Sequence, residues 1–191
     1  MASPRILTFA GSLRTGSYNR RLADLTSQRL QAAGAEVTPL DLRDYPLPIY
    51  DADLEEREGV PQLATVLHER FRGHKGVFIA SPEYNANLSP LLVNVIAWVS
   101  RVRDHGGIAA AFGTPVFAIG SASPGALGGY RGLMALRQSL ELQLQARVLP
   151  EMVSVPSAQE AFDEAGGLRL ARSAQALDRL VTKLVQATRT A

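Results

Sequence analysis

Apolar positions along this chain alternate between two patterns. Short continuous runs occur at residues 6–10, 37–42, 77–80 and 116–119, with a fifth near 152–155. Runs this short, without strict polar alternation, predict strands buried on both faces, as in a parallel sheet. Between them the apolar residues recur at helical spacing. Leu22, Leu25 and Leu30 share one face, as do Leu63, Val66, Leu67 and Phe71. The same holds for Leu133, Leu136, Leu140 and Leu144, and for Leu177, Val181, Leu184 and Val185. Strand and helix in turn predict an α/β architecture, with helices covering both faces of the sheet. No internal repeat or low-complexity tract interrupts the alternation. A chain of 191 residues is expected to form one domain, 1–191, since domains hold roughly 100–200 residues.

Three connections break the pattern. Residues 44–61 are long, Pro-rich and acidic, with no helix or strand signal in their first half. Residues 103–115 carry Gly106, Gly107 and Gly113. Residues 121–130 are rich in Gly and Ser and follow the fourth strand directly. Long connections in compact domains are usually functional or disordered. In open parallel sheets, ligands sit beyond the carboxyl ends of the strands. The runs GSLRTGSYN at 11–19, SPEYN at 81–85 and SASPGALGG at 121–129 all lie at such ends.

Composition narrows the chemistry. The chain has 46% hydrophobic and 20% charged residues, enough apolar content for a core. It has no cysteine, which removes disulfides, thiolate catalysis and Cys-ligated metals. The first strand begins almost at once, leaving no room for a signal peptide, and no run approaches the roughly 18 apolar residues of a membrane span. A cytoplasmic protein without a membrane segment is therefore expected. The net charge is +2, with basic residues scattered and acidic ones interleaved. A nucleic-acid surface would instead present a contiguous basic stripe with aromatics, so no nucleic-acid partner is expected. His68, His74 and His105 have no metal-ligand spacing and read as surface or structural residues, and no metal is expected.

Each loop has an ordinary reading beside a chemical one. In the first, Ser12, Ser17 and Asn19 supply donors and Arg14 a guanidinium suited to phosphate, while the helix that follows offers its positive end. The run is neither a Walker loop nor a dinucleotide fingerprint, because neither Gly-Lys-Ser/Thr nor G-x-G-x-x-G is present. The alternative is a plain helix entry capped by Ser17 or Asn19. In the second, Pro82 turns the chain out of the sheet and Tyr84 offers a flat face to a planar ring, with Asn85 beside it. The alternative is a turn whose tyrosine closes the core. In the third, Gly125, Gly128 and Gly129 let the backbone approach a ligand, or simply form a flexible turn.

Taken together, these residues resemble the NAD(P)H-dependent FMN reductases of flavodoxin-like fold. The resemblance runs from about residue 5 to about residue 165, with GSLRTGSYNRRLA, SPEYNANLSPLLVNVIAWVSR and the Gly-rich run after residue 121 in order. It implies a three-layer α/β/α sandwich with a five-stranded parallel sheet in the order 2-1-3-4-5. It implies bound FMN, with NADPH or NADH as co-substrate. It also implies ping-pong transfer of hydride to flavin, quinone, azo or metal-oxyanion acceptors. Carried over by position, Ser12, Arg14, Ser17 and Asn19 take the phosphate, with Tyr18 beside them. Pro82, Glu83, Tyr84 and Asn85 lie along the ring, and Ser121 and Gly125 belong to the third loop. No residue is assigned as a catalytic acid or base. Members form homodimers or homotetramers. The second motif departs from the family where a Lys and an acidic residue are usual: Val93 and Ala97 stand there, while Asn94 and Trp98 are kept. A flavodoxin-like electron carrier without pyridine nucleotide oxidation, or a flavin-binding protein that has lost activity, would share the fold.

Overall fold

Five strands hydrogen-bond in parallel in the computed structural model, which describes residues 3–189. They are β1 (Arg5–Ala10), β2 (Glu36–Leu40), β3 (Gly76–Ala80), β6 (Val116–Ala122) and β7 (Arg147–Val155). Their order is β2-β1-β3-β6-β7. Counting only strands of this sheet, that is the expected 2-1-3-4-5. The two short strands β4 (Glu83–Tyr84) and β5 (Asn87–Leu88) form a separate hairpin after β3. The helices are α1 (Tyr18–Ala32), α2 (Ala52–Glu58), α3 (Gln62–Arg72), α4 (Pro90–Arg101), α5 (Tyr130–Gln138) and α6 (Ala171–Arg189).

Alternate residues of each central strand feed two cores, because side chains of a strand point to opposite faces. Ile6, Phe78, Ala118 and Val153 pack with Leu22, Leu30, Leu180 and Leu184 of α1 and α6. Leu7, Phe9, Val77, Ile79, Phe117 and Ile119 pack with Phe71 of α3, Val95 and Val99 of α4, and Leu133 and Leu136 of α5. This is the three-layer arrangement expected from strands apolar on both sides. Gly76 lets α6 come close: a Cβ there would lie 2.8 Å from Thr188 Cγ2.

The boundaries differ from the expected ones where packing overrides pattern. Leu42 leaves the second strand for a 3₁₀ turn, Leu42–Asp44, which Asp41 caps by accepting from Arg43 N–H. β6 continues past Ile119 through Gly120, Ser121 and Ala122, all buried. β7 begins at Arg147 and includes Pro150, which an edge strand tolerates. The run ending at Leu144 is not one helix. α5 stops at Gln138 and a π-type turn, Ser139–Gln143, follows, with Leu140 still buried. His68 and His74 are both buried. The ring of His68 contacts the Gly107 carbonyl at 2.9 Å, and His74 bridges Arg70 O and the Thr38 hydroxyl. Among the described residues, no helix is long and apolar enough to cross a membrane.

Candidate functional site

The carboxyl ends of β1, β3 and β6 bring the three loops together. Main-chain bonds join them first: Gly11 N–H donates to Ala80 O at 2.9 Å and Ser81 N–H to Gly120 O at 2.7 Å. In the first loop Gly16, at φ +70°, turns the chain into α1. Ser17 caps that helix, its Oγ accepting from Arg20 N–H at 3.3 Å. No acidic residue stands in the first turn of α1, so the positive end of the helix is not neutralised from within. Ser12 Oγ accepts from Arg14 N–H, and the Arg14 guanidinium lies 5.9 Å from the centre of the Tyr18 ring.

Asn19 is placed differently from the expectation of a phosphate ligand. Its Oδ1 accepts from Ala122 N–H at 3.0 Å and its Nδ2 donates to Ala122 O at 2.9 Å. This buried pair of bonds fastens the start of α1 to the end of β6. Asn19 therefore sets the spacing between the first and third loops.

In the second loop the hairpin turns through Asn85 and Ala86, at φ 51° and 60°. Two successive left-handed residues make the turn that matches the twist of a two-residue hairpin. Tyr84 is 52% exposed, so it does not close the core. Glu83 does not aim its carboxylate along the loop. Its Oε1 accepts from Arg131 Nε at 3.0 Å and its Oε2 from Gly132 N–H at 3.0 Å, serving the first turn of α5 in place of a side-chain cap. Burial pushes the Glu83 carboxyl up, but the Gly132 N–H and the Arg131 guanidinium outweigh it and hold the pKa below the ordinary glutamate value.

A carboxylate whose folded pKa is depressed stabilises the fold above its unfolded pKa, and loses that contribution as pH falls through the folded value. Glu83→Gln is therefore expected to lower stability at pH 7 by on the order of 1.5 kcal/mol. The gap to the parent should close as pH falls below about 4. Thermal melts of both proteins between pH 3 and pH 7 check this. A gap that stays constant with pH would remove the charge from the explanation.

The third loop corrects one assignment outright. Ser121 is a strand residue of β6, fully buried, and not part of the loop. Among the described residues its Oγ has no hydrogen-bond partner, and it sits 1.9 Å from where a Cβ on Gly129 would fall. Gly129, at φ +85°, thus passes directly over the Ser121 hydroxyl. Gly125 does lie in the loop, where a Cβ would meet nothing closer than Ser123 Oγ at 3.8 Å. Its freedom is not required by close approach.

The loops enclose a cavity of about 180 Å³ lined by Ser12, Arg14, Ser17, Tyr18, Asn19, Pro82, Glu83 and Tyr84, together with Ala122, Ser123 and Pro124. Eight of the eleven expected residues meet here. Asn85 instead lines a neighbouring cavity of about 620 Å³, whose walls include Ile49, Tyr50, Leu88, Val93 and Ala97. Tyr84 belongs to both cavities. Ile49 and Tyr50 carry no motif of their own, and no sequence signal singles them out.

The donor set fits FMN. Ser12 and Ser17 hydroxyls, the Arg14 guanidinium and the open end of α1 form a cradle suited to a phosphate dianion. The carboxylate on the wall, Glu83, is already paired with Arg131. Beyond Tyr84 the surface turns apolar, as a planar ring system needs.

Comparison with known proteins agrees. Residues 4–160 match the NADPH-dependent FMN reductase family. The quinone reductase of Escherichia coli K12 is 39% identical over 137 residues, which cover 71% of this chain and 69% of that protein. An NAD(P)H-dependent FMN reductase of Pseudomonas aeruginosa is 35% identical over 169 residues, covering 86% and 84%. Among solved structures, FerB, a flavoenzyme NAD(P)H:(acceptor) oxidoreductase from Paracoccus denitrificans, superimposes over 98% of both chains with a TM-score of 0.72 at 25% identity. From its strand order, its three converging loops and these relatives, the chain belongs to the NADPH-dependent FMN reductase family and is an oxidoreductase that uses FMN and NAD(P)H.

Proposed function

We propose that this chain takes reducing equivalents from NAD(P)H through FMN seated at the three loops and delivers them to small planar acceptors, quinones foremost. One observation carries the reading: a polar cradle of phosphate-binding chemistry opens, across the single side chain of Tyr84, onto a larger apolar cavity. The first suits a charged headgroup and the second a flat apolar molecule.

When bound, FMN supplies the hydride and electron chemistry. The chain supplies position and field. Arg14, Ser12, Ser17 and the first turn of α1 hold the phosphate, and Tyr18 flanks Arg14. Asn19 keeps the first and third loops at fixed separation through Ala122. Pro82, Glu83, Tyr84 and Asn85 border the ring, with Tyr84 as its flat neighbour. Glu83 contributes through its pairing with Arg131 and α5, which leaves its charge compensated beside a cofactor that gains electrons. Ser121 supports the third loop from beneath, under Gly129. No side chain is needed as an acid or base.

The test begins with an absorbance spectrum of the purified protein and calorimetric titration with FMN. Anaerobic addition of NADPH or NADH should bleach the yellow protein, and menadione should restore the colour. A folded protein that ignores FMN would overturn the reading. Bleaching without reoxidation by any quinone would remove the acceptor.

The chain is further read as a single domain, 1–191, acting in the cytoplasm as a homodimer or homotetramer. The exposed part of α4 supports the last point. Val93 is 51% exposed, and with Ala97 it leaves an apolar strip where family members carry a charged pair. Val93→Lys combined with Ala97→Asp is expected to change the mass in solution, measured by light scattering. Unchanged assembly would count against contact through α4.

A further inference from the structure

The third loop is a wall shared by two cavities. Ser123 and Pro124 line the cradle, and Ala126 lines a separate cavity of about 430 Å³. Main-chain bonds tie the loop to that second cavity. Ser123 N–H donates to Val155 O at 3.0 Å, and Ala158 N–H donates to Ser123 O at 3.1 Å. Between these two bonds stand Pro156 and Ser157, which line the same cavity. The rest of its lining is mixed: Ala161 and Leu170 are apolar, Glu160 is acidic, and Arg169 and Arg172 bring two guanidiniums.

Arg169 is fixed in place. Its N–H donates to Ala161 O at 2.9 Å and its Nε to Phe162 O at 3.2 Å. Phe162 in turn bridges Leu168 across a tight turn, where Asp163 Oδ1 accepts from Gly167 N–H at 2.7 Å. The Arg21 guanidinium lies 4.5 Å from the centre of the Phe162 ring. Arg172 stands in the first turn of α6. The backbone dipole of that helix is positive there, so a cation at this position opposes stability rather than adding to it. Among the described residues neither Arg169 nor Arg172 has a carboxylate within ion-pair distance, Glu160 included. Two like charges on one cavity, one of them set against a helix dipole, both gain from a shared anion. Both also lie outside residues 4–160, the span that matches the family, so the motifs of that span do not account for them.

We propose that this cavity takes the adenosine 2′-phosphate end of NADPH, with Arg169 and Arg172 on the phosphate, and that the two arginines make the chain prefer NADPH to NADH. This rests on the function proposed above. The mixed lining selects the ligand. A bare phosphate has no use for Pro156, Ala161 and Leu170 and is repelled by Glu160. An adenosine phosphate sets its flat base against the apolar residues and offers Glu160 an amine or a hydroxyl. NADPH and NADH differ only in the 2′-phosphate, so a charge recognised there separates them. The reach is adequate. Only β6 stands between β3 and β7, so their ends are two strand spacings apart, roughly 10 Å, which a dinucleotide spans from a ring beside Tyr84. Arg169 and Arg172 bind and select; they are not catalytic.

Calorimetry on the FMN-loaded protein tests it, with adenosine 2′,5′-bisphosphate as the probe and adenosine 5′-monophosphate and adenosine 3′,5′-bisphosphate as controls. The 2′,5′-bisphosphate should bind about tenfold more tightly than the monophosphate. Arg172→Ala should remove that advantage. Arg169→Lys, which keeps a cation but not the fork held by Phe162, should weaken bisphosphate binding severalfold. In turnover with menadione, Arg172→Ala should raise the KM for NADPH relative to that for NADH by about tenfold, with the effect in KM and not in kcat. An unchanged bisphosphate Kd in either variant would overturn the shared grip of the two arginines. Equal losses for bisphosphate and monophosphate would place them on a part common to both nucleotides and overturn the preference. Equal affinity for the two bisphosphates would give the cavity to a different phosphorylated adenosine and overturn the assignment to NADPH. Displacement of FMN by the probe would put it in the cradle, with the same consequence. A parent that neither binds FMN nor oxidises NAD(P)H would fail the function proposed above, while titration of the FMN-free protein with the bisphosphate still decides this site.

Discussion

Gly129→Ala is expected to destabilise the protein by about 2–5 kcal/mol, the sum of two separate effects. The first is conformational: Gly129 sits at φ +85°, where an L-residue with a Cβ is strained. The second is steric: the added Cβ would fall 1.9 Å from Ser121 Oγ and 2.7 Å from Ser121 Cβ. Neither neighbour can swing away easily, because Ser121 is fully buried in a central part of the sheet. Urea denaturation measures the loss. Adding Ser121→Gly removes the obstructing atoms and should recover the steric part alone, leaving the conformational part as a residue of the cycle. Full additivity of the two substitutions would mean that the contact between the third loop and β6 is not what requires glycine. Because Ala122 follows Ser121 directly and is the residue Asn19 grips, a displaced third loop should also weaken FMN binding.

Arg14→Ala is expected to raise the FMN dissociation constant by about one to two decades, the equivalent of a charge-assisted hydrogen bond of roughly 1.5–3 kcal/mol. Arg14 is exposed at the mouth of the cradle, stacked near Tyr18 and held by its N–H on Ser12. Among the described residues no carboxylate of the cradle pairs with it, since Glu83 is taken by Arg131. Calorimetry with FMN and with riboflavin separates the contribution. The variant should lose affinity for FMN and bind riboflavin as the parent does, because only FMN carries the phosphate. Equal losses for both ligands would place Arg14 against the ring, and no loss would remove it from the site.

The sheet was legible in the sequence because a strand buried on both faces must be apolar at nearly every position. Residues 6–10 and 77–80 need nothing further. The pattern failed where small or polar residues are buried by their surroundings. Gly120 and Ser121 do not look like strand interior, yet Gly120 lies between β3 and β7, and Ser121 pairs with β7 beneath Gly129 at the start of α5, so the strand continues. The helical period from Leu133 to Leu144 correctly gathered four buried leucines, but it could not register the extra residue of a π-type turn, which keeps Leu140 and Leu144 inward after α5 has ended.

At the site, the sequence identified the loops and the residue types but not which way each side chain turns. Ser12, Arg14 and Ser17 are local to one loop, so their grouping follows from adjacency. Asn19 and Glu83 look like equally good ligands from their positions, yet their partners, Ala122 and Arg131, are 103 and 48 residues away. The connection before α2 shows the same limit, since Asn94 and Trp98 of α4 bond its main chain at Pro48 and Tyr50. Residues 44–61 stood out as an unusual loop, but nothing in them names Asn94 or Trp98 as its anchor.

Local chemistry therefore settled the strand and helix pattern, the α/β class and the three loops at the strand ends, because strand burial, helix spacing and turn residues act over a few neighbouring positions, while the family came from resemblance to known motifs. Tertiary structure alone decided that Asn19 is a fastener, that Glu83 serves α5, that Ser121 lies beneath the cradle and that Ile49 stands at the wall of an apolar cavity. Each of these depends on a hydrogen-bond partner or an excluded volume supplied from far along the chain, and such a partner exists only once the layers have packed.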